Sequence, residues 1–108
     1  MRLLTLAALA GLLVCSTGEA AAGARKPATV AVAIEGMRFS PAAVTVKPGD
    51  TIVWTNRDIV AHTVTAKAGA FDSKVIPPGG TYKFVARKTG DFAYACSLHP
   101  MAADLKVR

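Results

Sequence analysis

Apolar and polar residues alternate one for one along most of this chain, the period of a β-strand with one buried and one solvated face. Val30, Val32 and Ile34 share one parity, separated by small residues. Pro41 interrupts, Val44 and Val46 resume the pattern, and Lys47-Pro48-Gly49-Asp50 then reads as a turn. Proline presets φ there, and glycine accepts the positive φ that follows. Thr51 to Thr55 is β-branched or aromatic throughout, with Ile52 and Trp54 on one face. Asn56 to His62 reads as a loop and Thr63 to Thr65 as a return to strand. Ile76-Pro77-Pro78-Gly79-Gly80 turns the chain into the strand Thr81 to Val85. Lys88-Thr89-Gly90-Asp91 turns it into Phe92 to Cys96, where Phe92, Tyr94 and Cys96 share parity, and Leu105 to Arg108 closes with a last strand. No stretch after Ala24 has a helical period. About seven to eight short strands punctuated by Pro/Gly turns predict an all-β antiparallel sandwich, in one domain over residues 25–108.

The first 24 residues follow another rule. Met1 and Arg2 make a short positive start, Leu3 to Val14 is apolar or small except for Thr5, and small residues dominate from Ser16 to Ala24. That order predicts a cleavable signal peptide over residues 1–24, cut after Ala22 or Ala24. A membrane span needs about 20 apolar residues, and this run is shorter, so export to the periplasm or beyond is expected rather than stable membrane insertion. Val14, in place of a small residue, disfavours lipid attachment at Cys15. Loss of Cys15 with the leader leaves Cys96 as an odd thiol in an oxidising compartment. It must then be a free thiol, an intermolecular bridge or a metal ligand.

The chain has 108 residues and a formal charge of +6, which removal of Arg2 and Glu19 together leaves unchanged. The basic residues are scattered from Arg25 to Arg108 without interleaved aromatics, which argues against nucleic acid as partner. The charge reads as solubility, with steering toward an acidic partner.

The segment Cys96-Ser97-Leu98-His99-Pro100-Met101 carries the chemistry. A thiolate, an imidazole and a thioether stand within six residues. Cysteine with two histidines and a weak sulfur ligand suits copper, because thiolate and thioether favour Cu(I) while imidazole serves both oxidation states. The second histidine can only be His62, at a loop-to-strand transition. Singly, each residue has an ordinary explanation: a buried cysteine, a hydrogen-bonded histidine, a core methionine. Together they account for the odd thiol. Structural zinc wants four strong ligands, and carboxylates do not gather here apart from Asp58 and Asp104. A catalytic Cys–His pair would need its base three residues from the nucleophile on one short loop, without an orienting group beside His99.

Trp54-Thr55-Asn56-Arg57 followed by His62-Thr63-Val64, together with Phe92-Ala93-Tyr94-Ala95-Cys96-Ser97-Leu98-His99-Pro100-Met101, resembles the two signature regions of the cupredoxins, nearest their amicyanin-like branch. Glu35 to Pro41 and Val46 to Asp50 fit the family's early strands, so the likeness covers nearly all of residues 25–108. It implies a Greek-key β-sandwich holding one type 1 copper ion, cycling between Cu(I) and Cu(II). His62 and His99 would bind through Nδ1, Cys96 as thiolate and Met101 as axial ligand, with Asn56 tying the ligand loops together. Electrons would pass through the exposed edge of His99. One departure stands out: Met101 follows His99 by two residues, where amicyanin-like chains usually have three. Either the loop bends to bring Met101 over the metal, or the axial site is weak, empty or filled by a backbone carbonyl such as that of Ala61. The resulting expectation is a monomeric one-electron carrier, not an enzyme, serving redox partners such as a cytochrome or dehydrogenase. A copper-delivery protein is the alternative, and a metal-free interaction module the third reading.

Overall fold

Alternation becomes strand wherever an inward residue has a neighbour to cover it. In the computed structural model, which describes residues 25–108, eight strands form. They are β1 (Thr29–Ile34), β2 (Phe39–Ser40), β3 (Ala43–Val46), β4 (Thr51–Asn56), β5 (Thr65–Ala66), β6 (Thr81–Val85), β7 (Gly90–Ala95) and β8 (Ala102–Val107). The expected signal peptide and Cys15 lie outside the described residues. Among the described residues there is no helix, and none long and apolar enough to cross a membrane.

One sheet has the order β2-β1-β4-β6 and the other β3-β8-β7-β5. Only β1–β2 and β7–β8 are hairpins within a sheet; every other connection crosses from one sheet to the other. That crossing corrects one expectation. The sandwich is not purely antiparallel, because β1 pairs with β4, and β3 with β8, in parallel. A chain that leaves a sheet between strands can return running in its earlier direction, which a hairpin cannot do.

The inward faces follow the predicted parity. Val32, Ile34, Ile52 and Trp54 from one sheet meet Val44, Val46, Tyr94, Leu105 and Val107 from the other, all buried. Each such large side chain contributes about 1.5–3 kcal/mol of hydrophobic stabilisation. Trp54 is fully enclosed, and its Nε1–H donates to Tyr94 Oη at 3.1 Å, so the two polar atoms inside the aromatic cluster satisfy each other. Burial pushes the Tyr94 hydroxyl up to about 12.

The sandwich has two distinct ends. Ile34, Asn56 and Ala95 finish their strands at the apical end, and Ala102 begins β8 there. At the basal end lie Thr29, Thr51, Val85, Gly90 and Val107. The Lys47–Asp50 turn closes the base: Asp50 N–H donates to Lys47 O at 3.0 Å and Gly49 takes φ +98°. Buried Asp50 accepts the amides of Ala28 and Lys47 and pairs with Arg25 at 3.1 Å. The Ala28 and Lys47 amides, helped by Arg25, hold its carboxyl below the usual range against the opposing effect of burial.

Candidate metal centre

Two apical segments carry the candidate donors. The first leaves β4 at Asn56, which is fully buried. Its Nδ2 donates to Val60 O and Ile76 O, both at 2.9 Å, and its Oδ1 accepts from the Asp58 amide at 2.9 Å. The loop is thereby wrapped around one side chain and delivers His62 into a short ladder with Ile76. Asp58 fixes the ring. Its carboxylate accepts the amides of Gly36 and Met37 and, at 2.7 Å, the Nε2–H of His62. A histidine whose Nε2–H is held by a carboxylate presents Nδ1 as its ligand atom. The Met37 amide, then those of Gly36 and the ring of His62, keep the Asp58 carboxyl low although burial pushes it up.

The second segment follows β7. Cys96 N–H donates to Met101 O at 3.2 Å and Met101 N–H to His99 O at 2.8 Å. A three-residue turn about Pro100 thus closes the short loop. Met101 is buried beside Cys96 in the core cluster, His99 is half-buried, and His62 is fully buried.

Cys96 Sγ lies 3.7 Å from His62 Nδ1 and 3.7 Å from His99 Nδ1, and the three ligand atoms all fall within 4.8 Å of one another. The two imidazole rings stand 4.8 Å apart at 63°. Sγ also accepts the amides of Thr63 at 3.3 Å and Leu98 at 3.4 Å. Burial pushes the thiol up, but the Thr63 and Leu98 amides and the two imidazoles outweigh it and bring the pKa down to about 6. The pocket is built for a thiolate.

The arrangement fits a metal. Bonds of about 2.0 Å to nitrogen and about 2.3 Å to sulfur, opened to a trigonal angle, separate the two donor atoms by about 3.7–3.8 Å. Among the described residues no carboxylate joins the three donors, and one thiolate with two imidazoles is the soft, mixed set that suits copper.

Sequence reasoning singled out His62, Cys96, His99, Met101 and Asn56, and the structure brings them to one end of the sandwich. Asn56 binds its own loop and the Ile76 carbonyl, both on the His62 side. The direct tie between the two donor segments is Thr63, whose Oγ1 accepts the Ser97 amide at 2.8 Å and lies 3.1 Å from Ser97 Oγ. Thr63 and Asp58 are the residues that reasoning from sequence did not assign. Their only signals were adjacency to His62 and a carboxylate four residues before it. Asp104 faces Ala93 along the flank and takes no part.

A sandwich of two crossed sheets with a cysteine and two histidines at one end defines a class, and comparison with known proteins gives the same answer. The Cupredoxin-like domain family model matches residues 5–107, and this chain belongs to that family. It is 32% identical to amicyanin of Paracoccus versutus over 76 residues, 66% of this chain and 58% of that one. It is 33% identical to the chloroplastic plastocyanin of Tetradesmus obliquus over 72 residues, 56% of this chain and 50% of that one. The chain therefore spans only half to three-fifths of the length of these relatives. A solved amicyanin variant in its reduced Cu(I) form superposes with a TM-score of 0.69 at 28% identity, covering 82% of this chain and 89% of that one.

Proposed function

We propose that this protein is an exported copper protein that carries one electron at a time between redox partners. His62 and His99 hold the copper ion through Nδ1 and Cys96 as thiolate, with Met101 as the weak axial donor. The observation that carries the reading is the Cys96 thiol, 3.7 Å from both imidazole nitrogens, with its pKa lowered to about 6 by the amides and imidazoles around it. Bound copper supplies a one-electron couple. The chain's part is to hold the donors still. Asp58 fixes the His62 ring, the Thr63 and Leu98 amides stabilise charge on Sγ, and the closed loop from Cys96 to Met101 limits rearrangement. Relatives named amicyanin and plastocyanin support the same reading.

The route for the electron follows from exposure. His62 is sealed, whereas His99 is half-buried and follows the exposed Leu98. Met37, Ile59, Val60, Val75 and Leu98 all project at the apical end, with Ile59 93% exposed. Such a collar desolvates readily against a protein surface. A redox protein docks on this face and exchanges its electron through the edge of His99.

Cu(II) added to the purified protein is expected to give an intense visible thiolate-to-copper band and a reversible one-electron wave in voltammetry. Cys96→Ser removes the band. Met101→Leu keeps copper but shifts the potential. A colourless protein, or one that exchanges copper rapidly with no reversible couple, overturns the carrier reading and leaves metal delivery.

A further inference from the structure

Folding gathers charges that looked scattered in the sequence. Arg25 and Lys26 enter at the basal end, Lys47 lies in the turn before β4, Arg87 and Lys88 in the turn before β7, and Lys106 and Arg108 at the end of β8. Against these seven cations the basal end holds two carboxylates, Asp50 and Asp91. Both are already engaged, Asp50 by Arg25 at 3.1 Å and Asp91 by Arg108 at 2.9 Å. Lys26, Lys47, Arg87, Lys88 and Lys106 make no ion pair among the described residues. At the apical end Arg38, Arg57 and Lys74 balance Glu35, Asp58 and Asp72. Five of the six formal positive charges therefore sit at the end away from the metal site. A six-residue strand separates the ends by about 17–20 Å, well beyond the screening length of about 8–10 Å near physiological salt. The two ends are electrostatically independent.

This arrangement does not serve docking at the metal. An acidic partner drawn by the net charge would meet the base first and land far from His99. We propose that the basal end is a peripheral binding face for anionic phospholipid surfaces, holding the protein with its metal end pointed outward.

Two observations favour a lipid surface over an acidic protein. The five free cations come from four separate segments and spread over one end, and only Arg87 and Lys88 among them border a recess. A recess of about 600 Å³ near that end is walled by Phe84, Val85 and Phe92 together with Arg87 and Lys88, the pairing that suits an amphiphile with an anionic head.

The test is flotation of the purified exported protein with vesicles of phosphatidylcholine alone and of phosphatidylcholine mixed with phosphatidylglycerol, with or without copper. Binding is expected only to the phosphatidylglycerol vesicles, and salt should reverse it. Each basic residue near an anionic surface contributes about fivefold in affinity, so Lys47→Gln/Arg87→Gln/Lys88→Gln should weaken binding about a hundredfold. Arg38→Gln/Arg57→Gln/Lys74→Gln removes the same charge from the other end and should change binding less than about threefold. Circular dichroism confirms that both variants fold. Equal losses in the two variants would show that net charge, not the basal end, is responsible, and overturn the proposal. So would equal binding to phosphatidylcholine alone, which would show that attachment does not depend on anionic headgroups. Failure to bind either vesicle while polyglutamate is bound would replace the lipid with an acidic polypeptide.

Discussion

Two amides and two imidazoles surround Cys96 Sγ, so the thiolate is stabilised before any metal arrives. This has a signed consequence for the metal-free protein. The folded thiol titrates near 6 and an unconstrained one near 9.0, so the folded state binds fewer protons between those values. Stability should therefore rise as pH increases from about 6 to about 9, with the full contribution present above the higher value and lost below the lower. Ultraviolet absorbance of the thiolate should report the titration, and Cys96→Ala should abolish the slope in chemical unfolding. Asp58 acts one bond further out. Asp58→Ala frees the Nε2–H of His62 and leaves the amides of Gly36 and Met37 without their acceptor. Loss of such a partner typically weakens metal binding by about 10–100-fold, which competition with a copper chelator would measure. A variant with unchanged affinity would mean that the ladder to Ile76 alone fixes the ring.

Whole elements show how much of this was readable in advance. β1, β3, β4 and β6 lie where alternation placed them, because each has inward residues large enough to set the parity, while β7 takes in Gly90 and Asp91 from the expected turn and stops at Ala95, short of Cys96. β2 has two residues and no period to detect, and its Phe39 is inward because β1 lies alongside. β8 begins at Ala102, three residues before the strand that the sequence suggested. Ala102-Ala103-Asp104 has little strand preference of its own, and the ladder from β7, with Ala95 opposite Ala102, supplies it. β5 is shifted toward Ala66, because His62 pairs with Ile76 and Thr63 turns inward to Cys96 and Ser97. The three strong donors of the candidate site were legible from residue type and scarcity. Thr63 was not, since nothing in its local sequence distinguishes a strand threonine from one that bridges two loops. Thr63→Val keeps the shape but removes the acceptor for the Ser97 amide, and should cost about 1 kcal/mol in urea unfolding. An unchanged midpoint would show that the donor segments are held together by the backbone alone.

For the molecule as a whole, the parity of the strands gave the layers, but no periodicity could show that the cations converge. Their separation from the metal end makes a kinetic prediction. Lys47→Gln/Arg87→Gln/Lys88→Gln should leave the rate of electron exchange with a soluble redox partner within about twofold of the parent, since the altered charges lie more than a screening length from His99. Stopped-flow mixing measures this, and a steep fall would place the partner on the base. The same separation bears on encounters between identical molecules. If two copies meet nose to nose through the rings of His99, their charged poles are at opposite extremes of the pair. Each molecule is strongly cationic, yet repulsion between them is weak where they touch, and electron hopping from copy to copy is left nearly indifferent to ionic strength.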